Sequence, residues 1–319
     1  MKIPVDPGST PGRRILIKMT ASEKFEKLYD KNYKKLLFIP AILLIISLAY
    51  IGYFYSINQD FIKKDVSLTG GTTITIFPEQ EINIQELTQH ISKNIEDFSI
   101  RELSDFKTGK QKAIIIESPI TDTSSKEYSS LIDSLETFLG YELISGENFD
   151  VVSTGSSLGE SFYKQLRFAF ILAFIFMALV VFFIFRTMAP STAVIISAFA
   201  DIVMTLAFVN FLGMKVSSAG IMAFLMLIGY SVDTDIMLTT RLLKRQEKIN
   251  HRLLNAFKTG ITMTITSIIA ITVALFIVKS FSIVLGQIFT ILIIGLSFDI
   301  INTWITNASI LKWYVENRK

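Results

Sequence analysis

Apolar residues arrive in this chain as six long blocks, at 36–54, 168–184, 191–212, 216–238, 261–278 and 281–301. A helix needs roughly 20 residues to cross a bilayer, so each block is long enough to be a membrane span. The gaps after the second, third and fifth blocks are short, which makes the helices on either side antiparallel neighbours. The pattern therefore predicts a polytopic α-helical membrane protein with six transmembrane helices. It divides into a basic leading segment (1–35), a first span (36–55), a polar domain (56–164), the remaining five spans (165–305) and a tail (306–319). The first block reads as a span and not as a cleaved leader, because a long polar stretch precedes it and no small-residue cleavage site follows.

Within 56–164 the periodicity changes. Residues 72–77 alternate and are β-rich, 83–95 place Ile84, Leu87, Ile91 and Ile95 at helical spacing, and 98–103 and 113–117 read as strands. Residues 123–139 carry Leu131, Ile132, Leu135 and Leu139 on one helical face, with Thr121 or Asp122 as cap, and a last strand lies near 150–153. These are the periods of half-buried strands and amphipathic helices. The order β-α-β-β-α-β is the split βαβ arrangement, so an α+β, ferredoxin-like domain with two helices on one face of a sheet is expected. Gly70 and Gly71, just before the first strand, signal a turn or a close approach. Gly155 and Gly159 read as the joint between this domain and the second span, and as hinges if the joint transmits movement.

Composition agrees with a membrane class: 50% of residues are apolar and 18% charged. The absence of Cys excludes disulfides and thiolate chemistry. The two histidines, His90 and His251, both lie outside the apolar blocks. Neither a metal centre nor a Ser-His-Asp arrangement is expected, and no nucleotide motif is present, so no cofactor and no enzymatic activity are anticipated. The net charge of +3 matters less than its distribution. Cations crowd 1–35, 239–260 (Arg241, Lys244, Arg245, Lys248, Arg252, Lys258) and 302–319 (Lys312, Arg318, Lys319), while the opposite hairpins hold only Lys215 and Lys279. The positive-inside rule then puts both termini in the cytoplasm and 56–164 outside the cell membrane. The basic 239–260 segment is expected to face anionic membrane lipid rather than nucleic acid.

Four carboxylates lie within the apolar blocks: Asp201, Asp233, Asp235 and Asp299. A rise of about 1.5 Å per residue places Asp201 about 15 Å into its helix, near the midplane, with Asp233 and Asp299 in the inner half. Asp235 comes out nearer the inner edge, within reach of solvent. Residues two apart on a helix are separated by about 200°, so Asp233 and Asp235 cannot share a face. An acid in lipid costs several kcal/mol unless it is solvated, paired or protonated. No Lys or Arg lies deep in any block to pair with these four. Three readings stand open: a proton relay or cation path, carboxyls bonded to Ser231, Thr234, Asn302 and similar groups as helix glue, or an interface with another membrane protein. Gly229 and Gly295 are expected packing points. Thr262, Thr264, Thr266, Ser267 and Thr272 give the fifth span a polar face, expected to line a hydrated path beside the fourth.

Taken together, several motifs resemble the SecF family of protein-export membrane proteins in its archaeal form, over nearly the whole chain. They are Leu68-Thr69-Gly70-Gly71-Thr72, Gly155-Ser156-Ser157-Leu158-Gly159, the third-span Asp201 and Gly229-Tyr230-Ser231-Val232-Asp233. Gly295 to Asp299, followed by Asn302-Thr303-Trp304 and Asn307-Ala308, matches the last span. Bacterial SecF has Asn-Asp-Thr where Asp233-Thr234-Asp235 stands here, and Asp233 matches the acid of the corresponding SecD motif. The resemblance implies an RND-superfamily-like bundle and an accessory role in late translocation or release of exported polypeptides. It implies a SecD-like membrane protein, the Sec translocation channel and the unfolded exported polypeptide as partners. It also implies coupling to the proton gradient, with Asp233 and Asp201 as first candidates. A stand-alone RND-like proton-coupled exporter of lipid or small apolar solute is the alternative that the residues leave open.

Overall fold

The computed structural model describes residues 32–93, 98–105, 108–243, 249–279 and 282–317. Most of the basic leading segment 1–35 falls outside the described residues, as do Lys244, Arg245, Lys248, Arg318 and Lys319. Along the chain, α1 (Phe38–Asn58) leads through the single turn α2 (Val66–Thr69) into β1 (Gly71–Ile76) and α3 (Ile84–Ile91). The polar domain continues with β2 (Ser99–Ser104), β3 (Gln111–Ser118), α4 (Lys126–Leu139) and β4 (Phe149–Thr154). Then come α5 (Ser156–Phe185), α6 (Met188–Phe211), α7 (Ser218–Leu243), α8 (Ile249–Val278) and α9 (Ile283–Ile301). A π-helical turn (Asn302–Asn307) joins α9 to α10 (Ala308–Asn317). Among the described residues, six helical runs are long and apolar enough to cross a membrane: α1, α5, α6, α7, α8 and α9 with its continuation.

The polar domain is one antiparallel sheet in the order β2-β3-β1-β4. Alternation sets its faces. Ile74, Ile76, Ile114 and Ile116 point to one side, where Leu87 and Ile91 of α3 and Leu131 and Leu135 of α4 close over them, all fully buried. Asn83 caps α3 by accepting from the Gln85 amide at 3.0 Å. The cap of α4 is Ser125, which accepts from the Tyr128 amide at 3.1 Å, and not Thr121 or Asp122. The helix starts at Lys126, and only the residue just before it sets its oxygen over the free amides of the first turn. Asp122 instead accepts from Ser124 in the preceding turn.

In the bundle α6 and α7 are central. Buried residues make up 67% and 56% of their most apolar stretches, against 11%, 6% and 6% for α1, α5 and α8. Small side chains on α6 (Ala193, Ser197, Ala198, Ala207) let neighbouring helices approach closely. Phe168 and Phe183 of α5 stand 67% and 71% exposed, as side chains facing lipid do. Two glycines serve as sockets: Gly260 takes the Trp304 ring and Gly295 takes Leu227.

Two boundaries differ from the hydropathy pattern. Helix α8 starts at Ile249, well ahead of the apolar block at 261, so much of 239–260 is helix, with Leu253 and Ala256 packed on Leu238, Leu242 and Trp304. Nor are residues 308–317 a free tail: they form α10. Asn302, Thr303 and Asn307 are completely buried, so the drop in hydropathy there marks a polar interior and not the end of a helix.

The domain stands on one end of the bundle through short backbone pairings. The Val216 amide donates to Lys63 O (2.6 Å) and the Asp65 amide donates to Val216 O (3.0 Å). Asn210 Nδ2 donates to Phe61 O (2.8 Å). At the opposite end the first and last described helices meet, where Tyr33 Oη donates to Glu316 at 2.8 Å. At the joint, Gly70 (φ +84°) lies against the start of α5, and a Cβ on Gly159 would come within 2.7 Å of the Gly70 nitrogen. Nothing lies within 4 Å of a Cβ on Gly155. Gly159→Ala is therefore expected to lower stability by about 1–3 kcal/mol, as overpacking does, with Gly155→Ala close to neutral. Thermal unfolding of the purified chain in detergent checks this, and equal midpoints would contradict the close contact.

Candidate functional site

Three of the four carboxylates meet at the centre of the bundle. Asp201 on α6, Asp235 on α7 and Asp299 on α9 are each 0% exposed. Polar residues four apart bring their partners onto the same helix faces: Ser197 and Asp201, Ser231 and Asp235, Asp299 and Thr303, Thr303 and Asn307. The π-helical turn broadens this last face, so that Asn302 and Thr303, and then Thr306 and Asn307, all look inward. Such turns concentrate at functional sites because they re-aim side chains within a continuous helix.

Asp201 accepts from Ser231 Oγ (2.5 Å) and from Asn302 Nδ2 (2.7 Å). Asp235 Oδ1 is contacted by Asn307 Nδ2 at 2.7 Å, by Thr303 Oγ1 at 2.9 Å and by Ser197 Oγ at 3.4 Å. The same Thr303 hydroxyl lies 3.0 Å from Asp299 Oδ1. Thr306 donates to Asn302 Oδ1 at 3.4 Å, fixing the amide that serves Asp201. Among the described residues none of the three acids has an ion-pair partner, and Asp235 Oδ2, Asp299 Oδ2 and Asn307 Oδ1 are buried without a hydrogen bond. Among the described residues no His, Cys, Asp and Glu group is arranged to hold a metal ion.

The structure separates the two acids of α7. Asp235, expected near solvent, is the one inside. Asp233 lies on the exposed flank with Met222, Met226 and Tyr230 and takes no part in the cluster. Ser231 joins the cluster, whereas buried Thr234 bonds only the Tyr230 carbonyl of its own helix, at 3.4 Å. Gly229 has open space around it and so is not a packing point, unlike Gly295. Among the described residues, no side chain of the polar face of α8 bonds to the acids. Thr262 and Thr266 are exposed and return their hydroxyls to carbonyls one turn back on α8, as buried Thr264 does. Ser197 and Thr306 belong to the site but were not singled out from sequence, and Asn307 was noted only within the family motif. The spacing of four between them and an acid or its partner is the signal that finds them.

Comparison with known proteins agrees with this architecture. The family model "Protein export membrane protein SecD/SecF, C-terminal" matches residues 140–317. The protein-export membrane protein SecF of Methanocaldococcus jannaschii is 37% identical over 289 residues, covering 89% of this chain and 96% of that protein. SecF of Pyrococcus furiosus is 34% identical over 300 residues, covering 93% and 96%. Among solved structures, SecDF of Thermus thermophilus, a translocon-associated membrane protein, superposes with a TM-score of 0.70 at 16% identity. That match covers 93% of this chain but only 40% of the SecDF chain, and at such identity it speaks for the fold alone. Matched at 34% and 37% identity along nearly the whole length of these SecF proteins, the chain belongs to the SecF family of protein-export membrane proteins.

Proposed function

We propose that this chain is the SecF-type accessory component of the Sec export machinery, working with a SecD-like partner. It promotes late translocation or release of exported polypeptide through the Sec channel and carries out no covalent chemistry of its own. The observation that carries the mechanistic part is the carboxyl cluster shared by α6, α7 and α9.

Thr303 Oγ1 has one hydrogen but contacts two carboxyl oxygens, at 2.9 Å and 3.0 Å. It donates to one and needs a hydrogen from the other, which supports a proton held between Asp235 and Asp299. Taking that proton away leaves two carboxylates around a single hydroxyl, a repulsion of about 3 kcal/mol at an effective dielectric of about 20. A proton crossing about 100 mV supplies about 2.3 kcal/mol, so one proton per cycle matches the scale of the rearrangement. In this reading α7 and the π-helical turn shift against α6. The pairing of Lys63 with Val216 and the Gly70–Gly159 contact carry that shift to the polar domain.

The sheet order β2-β3-β1-β4 supports a ferredoxin-like domain, and its outer strands β2 and β4 offer edges for strand addition by extended polypeptide. The convergence of the first and last helices on the end far from the domain supports a cytoplasmic placement of both termini and an extracytoplasmic domain.

Cells in which Asp201→Asn replaces the native chain at normal protein level are expected to accumulate exported precursors while the variant still copurifies with the SecD-like protein. Undiminished export would remove the proton relay. A purified homo-oligomer without that partner, showing solute-stimulated proton flux, would favour the stand-alone exporter instead.

A further inference from the structure

The positive-inside pattern leaves two cations on the wrong side, Lys215 and Lys279, one in each outer hairpin. The fold brings both to the same place. Together with Lys63, from the segment between α1 and α2, they line a cleft of about 680 Å³ between the β2 end of the sheet and the outer ends of α8 and α9. None of the three lysines has an ion pair among the described residues. Arg101 also faces the cleft, but its charge is committed to Glu117 and Asp65. The one acid in the lining is Glu102, which accepts from Ser104.

The cleft is roomy and most of its lining surface is apolar, although Ser99, Ser282, Gln287 and Thr290 also line it. Leu275 and Ile283 form its floor, and a Cβ on Gly286 would meet only Leu275, at 4.0 Å. Phe276, Val284 and Leu285 flank it at 59%, 50% and 40% exposure, so the floor runs on into surface that faces lipid chains. The loop bearing Lys215 is pinned. Gln287, 8% exposed, accepts from Ser217 Oγ at 2.5 Å and from the Ser217 amide at 3.1 Å, and its amide donates to the Lys215 carbonyl.

We propose that this cleft binds an anionic membrane lipid, with the phosphate among Lys63, Lys215 and Lys279 and a chain lying over Leu275 and Ile283. Charge complementarity calls for an anion, and the apolar floor at the depth of the bilayer surface calls for one with a hydrocarbon tail. A small soluble anion would leave that floor unused. Because Lys63 leads into the polar domain while Lys215 and Lys279 cap the bundle, the lipid ties the two together. The assignment needs only the membrane placement of the helices and not the export role.

Native mass spectrometry of the full chain, copurified with its partner in detergent, tests it with phosphatidylglycerol and phosphatidylcholine of matched chains. Phosphatidylglycerol is expected to be retained preferentially, and millimolar inorganic phosphate is expected not to displace it. Each lysine near a charged surface is worth about fivefold in binding, so Lys215→Gln with Lys279→Gln weakens retention about 25-fold. The corresponding arginine pair keeps it, as does Lys112→Gln at an exposed position of β3. An unchanged unfolding midpoint for the double glutamine variant separates lost binding from lost folding. Equal retention of the two lipids, undiminished binding by the double variant, or displacement by inorganic phosphate would each overturn the proposal. So would protection of Lys215 and Lys279 from amine labelling in a lipid-free complex, which would mean that the partner subunit fills the cleft.

Discussion

Asp235→Asn is expected to reduce export to the level of cells lacking the chain, and Asp233→Asn to leave it near normal. The two residues are two apart on one helix, and a motif comparison favours Asp233. Geometry favours the other. Asp235 is 0% exposed and its Oδ1 gathers Ser197, Thr303 and Asn307 from two neighbouring helices, whereas Asp233 looks out of the bundle. Asparagine keeps the Oδ1 acceptor and the side-chain volume but removes the exchangeable proton. It also puts an amide where Oδ2 now lies without a partner, an unsatisfied buried donor costing about 1–3 kcal/mol. Protein level must therefore be measured beside export. Normal export from a normally abundant Asp235→Asn chain would end the proton reading. Loss in Asp233→Asn alone would move the functional surface to the outward flank of α7.

The polar domain was legible because water makes its code one-sided. Each strand alternates and each helix has a single apolar stripe, so Ile74, Leu87, Ile114 and Leu131 were recognisable as core from spacing alone. In the bundle that contrast disappears. On α7 the buried stripe (Ile221, Phe224, Ile228) and the outward stripe (Met222, Met226, Tyr230) are equally apolar, so hydropathy carries no phase and could not say which of Asp233 and Asp235 points inward. What does carry phase is polarity. Ser231 and Asp235 fall on one side, and on α6 Ser197, Asp201 and Thr205 repeat at four. The same cause misplaced the end of the last span. Polar residues from Asn302 to Asn307 look like an exit into water, yet they bond to acids inside the bundle. The π-helical register that aims them has no signature in composition.

Arg101→Ala is expected to cost the polar domain about 2–4 kcal/mol, less than the about 3–5 kcal/mol for one partner of a fully buried pair because the Arg101 side chain is 29% exposed. Arg101 extends from β2, bonds Glu117 on the neighbouring strand and lies 3.6 Å from Asp65 at the start of α2. Glu117 and Asp65 are 5% and 7% exposed, and Asp65 Oδ1 is already without a partner among the described residues. Burial pushes the Asp65 carboxyl above its usual range and Glu117 adds to this, while Arg101 opposes both. Without the guanidinium, two buried carboxylates face each other. The native chain then takes up a proton on Asp65 more readily than the unfolded chain, whose carboxyl titrates near 3.8. Stability from this group consequently rises as pH falls through the raised native value toward the unfolded one. The penalty of Arg101→Ala should shrink as the pH is lowered from neutral toward the unfolded value, and adding Asp65→Asn should recover part of it at neutral pH. Hydrogen exchange of the β2 and β3 amides in the purified full chain measures both effects. A loss that is the same at neutral and at lowered pH and indifferent to Asp65→Asn would show that Arg101 contributes through packing of its side chain and not through its charge.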